Sequence, residues 1–107
     1  MMTMHEEVLD FIHQFAVFGT DVRDCFSNGM CYWFAHILKT RFQFLDADIM
    51  YAPITNHFFC RIMNRYYDIS GEYTPTEAVY FWEYYGRYDK LERERIERDC
   101  IRKERIE

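Results

Sequence analysis

Three polar side chains, far apart in the chain, have the types and the order that nucleophilic catalysis needs: Cys31, His57 and Asp68. Cys31 stands in "NGMCYWFAHIL", where a turn dipeptide gives way to an aromatic and aliphatic run, so the thiol falls in the first turn of an expected helix. Unpaired backbone N–H groups and the positive end of the helix dipole favour an anion there. Beside an imidazolium, such a position lowers a cysteine pKa from ~8.5 into the range ~3.5–7.5. The same N–H groups can hold the oxyanion formed when a carbonyl is attacked. His57 supplies a base and Asp68 a carboxylate that fixes its tautomer and stabilises the imidazolium. Asn28 and Asn56 are candidates for an oxyanion donor or for orienting the histidine, set against the turn chemistry that asparagine commonly performs.

Helices and strands must bring these groups together. Met4, Val8, Phe11, Ile12, Phe15 and Ala16 recur at helical spacing over residues 4–18, with Gly19 as a stop. A loop rich in Asp, Ser, Asn and Gly leads to the helix of Cys31, whose Phe34, Ala35, Leu38 and Phe42 share a face. "DADIMYAPI", "NHFFCRIM" and "RYYDIS" read as three strands, the last two a hairpin. A two-residue turn at Met63-Asn64 sets Phe59 opposite Asp68 and puts His57 on the same sheet face, ~7–8 Å away along the diagonal. A four-residue loop opposes His57 and Asp68 directly, and an odd loop separates them. Thr74-Pro75-Thr76-Glu77 has the form of a helix cap and predicts a helix carrying "EAVYFWEYYGRY".

"GMCYWFAHIL", "NHFFCRI" and "YYDISG" together resemble the core of the transglutaminase-like branch of papain-fold cysteine enzymes, which pair a G-x-C-x-x-[FY]-A helix start with His on one strand and Asp on the next. The first segment also resembles the G-x-C-x-W-[FY] motif of CHAP amidohydrolases. "FSNGMCYWFAHILKTRF", "NHFF" and "YYDISG" in combination are similar to small proteins carried by bacteriophages. The resemblance covers residues 26–71 and implies an α+β, papain-like minimal core: helices on a short antiparallel sheet, trimmed because Cys31 and His57 lie closer in sequence than in either enzyme family. It implies cysteine-dependent acyl transfer without metal or organic cofactor, on a protein or peptide substrate. The competing reading is a non-catalytic binding protein on the same scaffold, such as a phage-encoded inhibitor of a host defence system.

With 107 residues the chain is long enough for one real core, burying roughly 65% of its unfolded surface. Residues 1–88 form the expected domain. Residues 89–107 form a charged helical extension whose Leu91, Ile96, Ile101 and Ile106 recur every five residues, which fits neither a heptad nor a 3.6-residue stripe. That extension reads as solvated, or as a partner-binding helix. A formal net charge of −5 disfavours nucleic acid. No apolar run approaches a bilayer span and no export signal stands at the amino terminus, so the expected compartment is the cytoplasm, the host's if a phage encodes the chain. The four cysteines, Cys25, Cys31, Cys60 and Cys100, read as reduced thiols. Zinc is the competing chemistry, but His57 and Cys60 would point to opposite strand faces. His36 lies ~140° round the helix from Cys31, while His5 and His13 are expected on an exposed face.

Overall fold

Thr3 and Glu6 close the start of helix α1 (Met4–Ala16) reciprocally: the Glu6 amide donates to Thr3 Oγ1 at 3.1 Å and the Thr3 amide to Glu6 Oε1 at 2.8 Å. The computed structural model describes residues 2–16, 31–87 and 90–101. Val8 and Ile12 of α1 are buried, with Phe11 and Phe15 packed beside them, as the spacing predicts. His13 is exposed, but His5 is half-buried, its Nδ1 2.6 Å from the Tyr67 hydroxyl. Helix α2 (Cys31–Arg41) buries Phe34, Ala35 and Leu38, and Phe42 continues that face just beyond it.

The three expected strands are β1 (Ala47–Ala52), β2 (His57–Ile62) and β3 (Arg65–Asp68). Two short strands that local patterning does not predict, β4 (Gly71–Glu72) and β5 (Val79–Tyr80), complete an antiparallel sheet of order β4-β3-β2-β1-β5. The fold is therefore α+β. Ile62 pairs with Arg65, so Met63-Asn64 is the turn and the diagonal register for His57 and Asp68 holds. Met63 takes a left-handed φ of 56° there.

Tyr51, Phe58, Cys60 and Ile62 face the helices in the main core. Met50, Ala52 and Phe59 form a smaller cluster on the other face, covered by Tyr66, Tyr73 and Ala78. At ~1.5–3 kcal/mol per fully buried large apolar side chain, both faces contribute, which explains why β1 is buried at nearly every position rather than alternating.

The expected helix start at Thr74 does not form. Val79 and Tyr80, β-branched and aromatic, pair instead with the free edge of β1, and Glu77 accepts from the Ile54 amide at 2.8 Å. Helix α3 (Phe81–Arg87) begins only after that pairing, with Phe81 fully buried. Helix α4 (Lys90–Ile96) then leads into a π-helical turn, Glu97–Ile101. The described part of the charged extension, residues 90–101, is docked rather than solvated: Ile96 is 0% and Cys100 4% exposed. The Trp33 indole N–H donates to the Ile101 carbonyl at 2.7 Å, tying the turn to α2.

Candidate active site

Cys31, His57 and Asp68 come together where α2 meets the ends of β2 and β3. Cys31 is the first described residue of α2, half-buried, while His57 opens β2 and Asp68 closes β3. Asp68 Oδ2 lies 3.0 Å from His57 Nε2. An ionised carboxylate only accepts, so Nε2 carries a proton and Nδ1 is left free of that bond, while the Cys31 thiol lies near enough to the imidazole to raise its pKa. The ring is held in place by Phe59, stacked at 5.9 Å, and Tyr73, edge-on at 5.1 Å.

The hydrogen bond that His57 donates to Asp68, and then the nearby Cys31, push His57 up to about 9 against the opposing effect of burial. Asp68 moves the other way. Burial alone would raise its carboxyl, but the hydrogen bonds from His57 and from the side chain and amide of Ser70 outweigh it and hold the group below its ordinary value. Asp68 Oδ1 accepts from the Ser70 amide at 2.9 Å and from the Ser70 hydroxyl, so the Asx-type turn at the strand end and the orienting of His57 are both performed by one carboxylate.

Asn28 lies outside the described residues. Asn56, in the β1–β2 turn with φ 54°, does not contact the imidazole through any hydrogen bond; its Oδ1 accepts from the Tyr51 hydroxyl at 2.5 Å and from Arg95 Nη1 at 3.2 Å. Residues that sequence reasoning missed are Ser70, Tyr73, Tyr51 and the α4 pair Glu92 and Arg95. For Ser70 the signal was D-x-S spacing; for Arg95, buried in a charge-rich run, nothing local sets it apart.

Burial pushes the Cys60 thiol up to about 12, and burial likewise raises Cys100. Cys31, Cys60 and Cys100 are free of disulfides, and Cys25 lies outside the described residues. His57 sits on the opposite sheet face from Cys60, and among the described residues no group of three or more His, Cys, Asp or Glu side chains is gathered to hold a metal ion. No described helix is long and apolar enough to cross a membrane.

No curated protein and no solved structure matches the chain. Residues 8–98, which take in most of α1, the whole sheet, the three clustered polar residues and most of the docked C-terminal segment, match the family described as Phage YunG-like protein, and the chain belongs to that family of small phage proteins.

Proposed function

We propose that the chain catalyses cysteine-dependent acyl transfer, meaning hydrolysis, deamidation or transamidation of an amide or isopeptide bond in a protein or peptide, on a papain-like minimal core. The observation that carries this reading is one imidazole bonded to a carboxylate at 3.0 Å with a half-buried thiol near enough to bear on its ionisation. With His57 near 9, the imidazole is doubly protonated at neutral pH, and the form that attacks is the one in which the thiol proton of Cys31 has passed to Nδ1. The sulfur attacks the carbonyl carbon and the oxygen takes the negative charge. Collapse breaks the C–N bond as Nδ1 returns its proton to the leaving amine, giving a thioester. Water or a second amine then attacks the thioester, His57 takes its proton, and the sulfur leaves as an anion. Asp68 stays ionised throughout, keeping Nε2 protonated and Nδ1 aimed at the sulfur.

Labelling with iodoacetamide, read by mass spectrometry residue by residue, tests this. Cys31 is expected to be labelled stoichiometrically below pH 8 and to lose that reactivity in His57→Ala, while buried Cys60 and Cys100 stay unmodified. Thiols that all react with equal sluggishness would instead favour the non-catalytic binding protein.

A further inference from the structure

The docked C-terminal segment brings a second polar network to the site. Arg95 of α4 donates through Nη1 to Asn56 Oδ1 at 3.2 Å and through Nη2 to the Tyr51 hydroxyl at 3.1 Å. Glu92 grips the same guanidinium at 3.0 Å through both Nε and Nη2, and the Tyr84 hydroxyl donates to Glu92 at 2.9 Å. Since the Tyr51 hydroxyl also donates to Asn56 Oδ1 at 2.5 Å, both lone pairs of that oxygen are used. The carboxamide therefore cannot flip without losing two donors, one of them charged. Cys100 Sγ lies 3.8 Å from both Oδ1 and Nδ2, a weak third donor to the oxygen and a weak acceptor from the amide.

The location of this donor matters more than its partner. Asn56 immediately precedes His57 and is an exposed residue. Cys100, which its amide touches, belongs to the buried cluster against which Cys31 packs. The turn that carries Cys100 is tied to α2 by the bond from Trp33 to Ile101. An amide N–H of fixed orientation, lacking a strong acceptor, next in sequence to the expected base and in contact with the cluster that the expected nucleophile packs against, is what a carbonyl oxygen acquiring charge would meet.

Resting on the acyl-transfer reading, we propose that Asn56 Nδ2 donates to the oxyanion formed when Cys31 attacks a carbonyl, and that Tyr51 and Arg95 are positioning residues that aim it. Helix α4 thereby belongs to the catalytic apparatus. The bond from the attacking sulfur to the carbonyl carbon forms as the C=O π pair moves onto oxygen. Asn56 stabilises that negative charge until it returns to carbon and expels the leaving group. No proton leaves Asn56.

Two reagents separate this role from general reactivity of the thiol. p-Nitrophenyl acetate acylates a thiolate through a tetrahedral oxyanion and releases p-nitrophenolate; iodoacetamide alkylates it by displacing iodide, with no oxyanion. The ratio of the two rate constants at Cys31 is measured in the full chain for wild type, Asn56→Gly, Arg95→Met and Arg95→Lys, with circular dichroism checking the fold. Glycine accepts the φ of 54° at position 56, so that variant removes the amide without straining the turn. The ratio is expected to fall about 10-fold or more in Asn56→Gly and by a smaller factor in Arg95→Met, with Lys failing to restore it because it lacks the two-pronged geometry. A ratio within twofold of wild type in a folded Asn56→Gly overturns the proposal while leaving acyl transfer standing. A wild-type Cys31 inert to both reagents removes the parent reading and this one with it.

Discussion

Replacing Asp68 by Asn removes a charge while keeping a side chain of the same shape, and the consequence for His57 can be worked out. The imidazole sits at about 9 in place of its ordinary 6.5, with Asp68 the larger cause and Cys31 the next. At ~1.36 kcal/mol per pH unit, that rise corresponds to a ceiling of about 3 kcal/mol of folding free energy. His57 retains 19% side-chain exposure, so solvent screening reduces the expected contribution to about 1–2 kcal/mol. Because the folded value lies above the unfolded one, this stability is fully present below pH ~6.5 and is lost as pH rises through about 9. An NMR titration of the His57 ring carbons is the direct assay, with urea melts at pH 6 and pH 10 alongside. The expected result is a wild-type midpoint near 9 that falls by ~1 pH unit or more in Asp68→Asn and by less in Cys31→Ser, with the excess stability at pH 6 shrinking in the same order. A wild-type midpoint near 6.5, or one indifferent to Asp68, would refute the coupling on which the catalytic reading stands.

Other outcomes follow from the same geometry. Ser70→Ala removes one of the donors holding Asp68 below its ordinary value; since stability from a depressed carboxylate is lost as pH falls through its folded pKa, the variant's acid unfolding should begin at higher pH, measured by circular dichroism. Ile96→Ala, at a fully buried position, should cost about 2–4 kcal/mol in chemical denaturation, where a solvated tail would cost less than ~0.5. Met63→Val places a β-branched residue at φ 56° in the hairpin turn and should destabilise by at least ~1 kcal/mol, while Met63→Gly is expected to be neutral or better.

What the sequence made legible was whatever depends on local pattern. The α1 and α2 faces follow from helical spacing alone, and the alignment of His57 with Asp68 follows from strand parity once Met63-Asn64 is taken as the turn. Long-range competition decided the rest. Two T-x-x-E segments occur, at Thr3 and Thr74, and only the first caps a helix. Locally they are equivalent; the difference lies in the unpaired edge of β1, which offers Val79 and Tyr80 ladder hydrogen bonds that a helix there would forgo. Nothing within the window around Thr74 announces that edge.

The C-terminal run shows how a pattern can be visible and still unreadable. Its apolar residues recur every five positions, a spacing that scatters round an α-helix and so suggests no buried face. The Glu97–Ile101 turn is π-helical, closing i to i+5, and within it a five-residue interval does return to one side. Ile96 accordingly reaches the core and Ile101 packs against it, whereas Leu91, on the regular α stretch before the turn, is 76% exposed. Glu94 meets Lys90 at 3.8 Å on the regular stretch, and Arg98 meets its neighbour Asp99 at 2.9 Å within the widened turn. With Ile96 anchored, Arg95 is carried to the β1–β2 turn, where it meets Tyr51 and Asn56. The irregular winding of one short segment thus joins the most charged part of the chain to the residues beside His57.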